Sequence, residues 1–280
     1  MPEEWTLSEL GNQSQAAAPV QQALVGGLPM YDLPGCDAAN DALWHALVQA
    51  TARRGMELPK ARSRGPDQSA LAAGPGLTLA QICGLPFAKA PTGTLQLVAT
   101  PVYHAPGCVG AAYRSVLIGP AGSTLAEAAA GVAAINEPGS QSGHLALRRT
   151  LALLRGVRPE QALLTGSHRA SVHAVAAKQA TLAAIDCVSW ALIKVADRSA
   201  AAAVEVLGVS PAAPGLPLVT RADLPAAQVA ALRGALVEVL ADPSLDAVRR
   251  QLHLVGMERV DEAAYRRLLA LEAAAPKPLV

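Results

Sequence analysis

The sequence predicts an α/β protein of two lobes, each a mainly parallel sheet flanked by helices, joined by two crossings of the chain. Three observations carry this. At 280 residues the chain exceeds one ordinary core and suits two. Short apolar runs alternate with stretches of helical periodicity, the pattern of a sheet covered on both faces. The rhythm restarts after Pro120, and a third section begins near Val204.

Taken in order, residues 1–22 are rich in Gln, Ser and Ala and read as a mobile arm. Ala23 to Met30 is a short strand, ended by Tyr31-Asp32-Leu33-Pro34. Asp37 caps a helix through Arg54, with Leu43, Leu47 and Ala50 at helical spacing and Gly55 as its stop. Residues 57–76 are polar and rich in Pro and Gly, a surface excursion. Strands are expected over Leu77–Cys83, Gly93–Tyr103 and Gly110–Ile118.

In the middle section a helix (Thr124–Ala130) leads to the strand Val132–Ile135, and a loop then feeds a helix from Ser142 to Leu154. Ala162–Thr165 is a strand followed by a helix to Lys178, and Leu182–Ile185 is another, with Asp186 just past its end. The last section runs from Val204 through Pro211, Pro214 and Pro217 to Thr220. Three helices follow it, the second over Leu245–Val255 and the third starting at Asp261. Residues 23–118 and 204–280 then form one lobe and 119–203 the other, with Gly110–Ile118 and Val204–Thr220 as the crossings. Such a hinged pair places its ligand between strand ends.

Composition excludes several functions. Hydrophobic residues make up 51% and charged residues 16%, which is not the balance of a disordered chain. A net charge of +1 gives no field for nucleic acid or an anionic membrane. Three Trp, four Tyr and one Phe leave no platform for stacking bases. No stretch approaches the roughly 20 apolar residues of a membrane span. The start, Met1-Pro2-Glu3-Glu4-Trp5, lacks the basic and then apolar blocks of a secretory signal, so export by that route is not expected. The four cysteines are too few for a disulfide scaffold and are not spaced for zinc. Cys36 and Cys187 read as separate buried thiols; Cys83 and Cys108, each beside Gly at the end of an apolar run, could meet.

The most informative segment is Asn136-Glu137-Pro138-Gly139-Ser140-Gln141-Ser142-Gly143, at a strand-to-helix corner. The first amides of a helix lack internal partners and carry partial positive charge, so small residues there let an anion approach. Spacing alone favours Ser140 or Ser142 as a simple N-cap. Thr165-Gly166-Ser167-His168 is a second such corner, where His168 could donate to an oxyanion or stand solvated in the first turn. Asp186 could accept from a ligand or cap the helix it precedes. Tyr31 and Tyr113 could donate hydroxyl hydrogen bonds or pack in the core. No nucleophile-elbow, phosphate-loop or zinc-protease motif is present, and neither catalytic residue, metal nor cofactor is expected.

These segments, together with Leu28-Pro29-Met30-Tyr31, Gln81-Ile82-Cys83-Gly84, Ala99-Thr100-Pro101-Val102-Tyr103, Gly107-Cys108-Val109-Gly110-Ala111-Ala112-Tyr113-Arg114-Ser115 and Pro214-Gly215-Leu216-Pro217, make an ordered series. It resembles the phosphate/phosphite/phosphonate-type substrate-binding proteins of ABC transporters, of the type 2 periplasmic binding-protein fold. The resemblance implies a small oxyanion in an interlobe cleft, an ABC permease as partner and a periplasmic location. It implies that Tyr31, Gln81 and Cys83 face the ligand from the first lobe, and that Ser140, Gln141 and Ser142 cradle it with His168 and Asp186 nearby. In phosphonate-binding members the serine cluster is similar to Ser-Thr-Ser-Gly; here Gln141 replaces the middle hydroxyl. Two alternatives stand beside the receptor: a cytosolic ligand sensor, and an enzyme on the same fold similar to thiamin-pyrimidine synthases.

Overall fold

The computed structural model describes residues 23–64, 68–154 and 157–280, so the arm expected over 1–22 lies outside them. The chain opens with β1 (Val25–Gly27), α1 (Asp37–Ala52), α2 (Gln68–Ala73), β2 (Leu77–Gln81), α3 (Gly84–Lys89) and β3 (Leu95–Tyr103). A short β4 (Ala112–Tyr113) leads across to β5 (Ser115–Pro120), α4 (Leu125–Ala130) and β6 (Val132–Ile135). A π-helical turn, Gln141–Leu145, then enters α5 (Ala146–Leu151). After it come β7 (Gln161–Leu164), α6 (His168–Ala176), β8 (Leu182–Asp186), α7 (Cys187–Ala196), α8 (Arg198–Ala202) and β9 (Val204–Val209). The return passes through β10 (Ala213–Pro214) to β11 (Leu218–Arg221), α9 (Ala226–Ala241), α10 (Asp246–Gln251), β12 (Leu254–Glu258) and α11 (Glu262–Ala274).

Two five-stranded sheets result, ordered β1-β2-β11-β3-β12 and β7-β6-β8-β5-β9. Inner strands of both sheets are buried throughout because helices cover both faces: β2 and β8 are buried at all five positions. In the first lobe, α1 and α9 contribute Trp44, Leu47, Leu232 and Leu236 to one face, and α3 and α11 contribute Leu85, Tyr265 and Leu268 to the other. In the second, α6 and α7 pack Val172, Val175, Trp190 and Ile193 on one face, while α4 and α5 pack Ala128, Leu147 and Leu151 on the other.

The two-lobed α/β fold is as the sequence predicts, but the sheets are mixed rather than mainly parallel. Of their pairings among the described residues, three are parallel and five antiparallel. The crossings account for four of the five antiparallel pairings, β12 on β3 being the other. Each crossing delivers the chain running backward: β5 inserts between β8 and β9, and β11 between β2 and β3. Ser115–Ile118 and Val204–Val209, expected with the first lobe, are strands of the second sheet. The crossings narrow to β4 and β10, which pair with each other as a two-stranded ribbon, Tyr113 opposite Ala213. The helix expected over Leu245–Val255 stops at Gln251. His253 takes a left-handed φ of 54°, and Leu254–Glu258 pairs with the edge of β3. The helix expected from Ser142 to Leu154 is a π-helical turn followed by a shorter α5.

The C-terminal tail adds a third link between the lobes. Beyond α11, the Arg148 Nε donates to the Pro276 carbonyl (2.7 Å), and the Leu279 amide donates to His144 Nε2 (3.2 Å). Leu279 also packs against the Leu147–Leu151 side of the second core.

Candidate functional site

The site grows from strand ends. β6 ends at Ile135 and β7 at Leu164, and the chain turns after each into a helix whose first amides need outside acceptors. Ser140 Oγ accepts from the Gly143 amide (2.9 Å), and Ser167 Oγ from the Ala170 amide (3.0 Å). Gly143 permits the first corner to close, since a Cβ there would lie 1.7 Å from Asn136 Oδ1.

Both corners line one cleft of about 240 Å³. Asn136, Glu137 and Ser140 come from the first, Gly166, Ser167, His168 and Arg169 from the second, and Ser189 from the start of α7. The facing wall is the first lobe's Pro29–Leu33 segment with Cys83.

Of the residues singled out by sequence, Cys83, Ser140 and His168 line this cleft. A buried chain of polar groups backs it and joins the lobes. Ser142 Oγ lies 2.8 Å from His168 Nε2, which is 3.4 Å from Asp186 Oδ2. Asp186 Oδ1 accepts from the Tyr31 hydroxyl of the first lobe (3.2 Å) and from the Val188 and Ser189 amides (3.0 and 2.9 Å). Asp186 is therefore both the cap of α7 and an interlobe contact.

Gln141 points into the hinge. Its Nε2 donates to the Pro214 carbonyl (2.9 Å) and the Tyr113 hydroxyl (3.3 Å), while its amide donates to Cys83 Sγ (3.3 Å). Its Oε1 is buried without a hydrogen-bond partner and lies 2.2 Å from where a Cβ on Gly84 would sit. A side chain at 84 would displace the Gln141 side-chain amide from this position. Gln81 donates to the Tyr103 hydroxyl (2.9 Å) beside a separate apolar cavity of about 30 Å³ inside the first lobe, and it does not line the cleft.

Burial sets the protonation states. It lowers His168 below its ordinary value, with Asp186 pulling the other way, so the ring is neutral at pH 7. Burial raises Tyr31 and Tyr113 well above theirs, which keeps both hydroxyls as donors. The Cys83 thiol is pushed up to about 11, chiefly by burial. A thiol at that value is not an activated nucleophile. Nor does Ser142–His168–Asp186 have the wiring of a hydrolase triad, in which serine and carboxylate address opposite ring nitrogens. Here both address Nε2.

Some contributors were not singled out by sequence. Arg62, its side chain 1% exposed, binds Asp32 through both terminal nitrogens (2.7 and 2.8 Å) and Asp41 through Nε (2.7 Å), neutralising a carboxylate on the cleft wall. It comes from the surface excursion, with partners 21 and 30 residues away, and no local pattern marks it. Arg169 is held by Asp197 (2.5 and 2.9 Å). Ser189 had a legible signal, the first turn after the Asp186 cap. Cys83 and Cys108 do not meet: Cys83 takes the Gln141 amide, and Cys108 Sγ lies 3.4 Å from Cys187 Sγ. Among the described residues there is no cluster able to hold a metal ion and no helix long and apolar enough to cross a membrane.

Residues 70–265 match the family model described as the phosphonate periplasmic substrate-binding protein of ABC transporters. No match is found among curated proteins. Among solved structures, the chain is similar to a binding-protein component of an ABC phosphonate transporter from Pseudomonas aeruginosa, with a TM-score of 0.70 and 21% identity over 90% of this chain and 86% of that one. It is similar to PhnD1 from Prochlorococcus marinus in complex with methylphosphonate, with a TM-score of 0.71 and 13% identity over 90% and 97%. A Xanthomonas citri protein bound to chloride ion gives 0.67 and 15% over 89% and 96%.

Proposed function

The chain belongs to the phosphonate-type periplasmic substrate-binding family of ABC transporters, and from that premise we propose that it is a receptor for a small phosphonate- or phosphate-like oxyanion, working in the periplasm with an ABC permease. The observation that carries this reading is that two strand-to-helix corners, Asn136–Ser140 and Gly166–Arg169, line one cleft opposite the other lobe. His168 and Arg169, the first residues of α6, line that space, where charge-assisted hydrogen bonds to an anion are strong. Anion binding favours the imidazolium, so the ligand raises the proton affinity of His168 as it enters. Ligand contacts from both lobes select the closed arrangement, and that arrangement is what a permease reads.

The receptor is not an enzyme on this reading. The raised Cys83 thiol and the shared Nε2 of His168 support it. Isothermal titration with methylphosphonate, inorganic phosphate and methanesulfonate tests it. One saturable site per chain is expected for at least one of them. His168→Gln should weaken that ligand about tenfold or more, the scale of one hydrogen bond to a charged group. Silence toward all three at millimolar concentration, with no thermal shift, removes the receptor reading.

A further inference from the structure

Outside the cleft, the sharpest juxtaposition of reactive groups is that of Cys108 and Cys187. Cys108 lies in the loop that leaves β3 of the first lobe, and Cys187 is the first residue of α7 in the second. Their sulfurs are 3.4 Å apart although 79 positions separate them in sequence. The local backbone is built for the approach. Gly107 has φ +110°, and a Cβ on it would lie 3.0 Å from Cys187 Cβ and 3.2 Å from its Sγ. The positive φ favours glycine, and a side chain there would press on Cys187. The loop is pinned by the Cys108 amide on the Ala105 carbonyl (2.9 Å), and α7 by the Cys187 amide on the Arg114 carbonyl (3.0 Å). Cys187 is 1% exposed, while Cys108 is half-buried and reachable from solvent.

We propose that Cys108 and Cys187 form a disulfide that staples the first-lobe loop to the start of α7, next to the interlobe residue Asp186. An S–S bond of about 2.0 Å requires the sulfurs to approach by little more than an ångström, within reach of side-chain rotation. The oxidant is a thiol-exchanging disulfide, such as oxidised glutathione or a disulfide oxidoreductase. The Cys108 thiolate attacks one sulfur of the oxidant, forming a mixed disulfide and releasing the first thiolate, which takes a proton. Cys187 then loses its proton and attacks Cys108 Sγ, expelling the second thiolate. The two protein thiols are oxidised, the oxidant's S–S bond is reduced, and two protonated leaving thiols account for the hydrogens. The Cys187 thiol donating to Cys108 Sγ lowers the Cys108 pKa, which suits it as the attacking group.

Tryptic mapping tests this directly, because the four cysteines fall on four separate tryptic peptides. Folded protein equilibrated with oxidised glutathione, alkylated and digested without reductant should give residues 90–114 joined to residues 179–194, with the Cys36 and Cys83 peptides outside the crosslink. Closing a loop of about 80 residues restrains the unfolded chain, and the oxidised protein should melt about 5–10 °C above the reduced one. Cys108→Ser and Cys187→Ser should each abolish that difference while keeping the reduced protein's melting point within a few degrees. Alkylation of both Cys108 and Cys187 in the oxidised wild-type protein, or a crosslink to Cys36 or Cys83 instead, overturns the proposal.

Discussion

The contact between Tyr31 and Asp186 is the most direct side-chain link across the cleft, and its strength can be worked out from its surroundings. Tyr31 is 4% and Asp186 3% exposed, so neither group has water as an alternative partner. A hydrogen bond to a charged acceptor contributes about 1.5–3 kcal/mol. The Asp186 carboxylate also caps α7 through two amides, a role worth about 1 kcal/mol that an asparagine carbonyl retains. Tyr31→Phe should therefore cost about 1.5–3 kcal/mol and Asp186→Asn about 1–2 kcal/mol, because the hydroxyl then meets a neutral acceptor. Since Tyr31→Phe removes the bond that Asp186→Asn weakens, the double variant should be more stable than the sum of the single losses by about 1–2 kcal/mol. Urea unfolding at pH 7.5 measures this through fluorescence that reports Trp44 in the first core and Trp190 in the second. Additivity within about 0.5 kcal/mol would mean that Tyr31 and Asp186 are uncoupled and that no such bond links the lobes.

Burial lowers His144 and His168, so between their folded values and the unfolded value of about 6.5 the unfolded chain holds more protons. Stability should accordingly fall as pH drops below about 6.5, and the double variant His144→Asn, His168→Gln should flatten that slope in urea titrations. The tail link should fail over the same range. Neutral His144 donates from Nδ1 to the Pro138 carbonyl and accepts the Leu279 amide at Nε2, and a proton on Nε2 turns that contact into donor against donor. Faster amide hydrogen exchange at Leu279 in acid, beyond the intrinsic pH trend, is the expected sign. Arg62→Ala leaves Asp32 without its bidentate partner on the cleft wall; it should cost about 3–5 kcal/mol in unfolding experiments and weaken any bound oxyanion. Removing residues 276–280 should cost about 1–3 kcal/mol by the same measurement, from two lost hydrogen bonds and the partly buried Leu279.

Much of the site was legible because it is local. Ser140, Ser167 and Asp186 cap the turns they begin, and a cap is written in the few residues around it. The alternation of buried runs and amphipathic helices likewise fixed the α/β class and most strand positions. For Ser140 the capping reading and the site reading are compatible, since it caps at the edge of the cleft, whereas Asp186 caps α7 from behind His168 and does not line the cleft. The helix expected over Leu245–Val255 failed at its C-terminal end for the opposite reason. Its apolar spacing suits a helix, but Leu254–Glu258 has the exposed edge of β3 to pair with, and that edge lies about 150 residues away in sequence.

Residue order alone thus determined the fold class, the two polar corners and the caps that shape them, because each depends on neighbours a few positions apart. Tertiary structure decided the rest. It placed β5 and β9 in the second sheet, turned Gln141 into the hinge, set Arg62 against Asp32 and brought Cys108 to Cys187. Those contacts join residues 30 to 100 positions apart, and they form where the packed lobes meet, with glycines at 84 and 107 leaving room for Gln141 and Cys187 beside them.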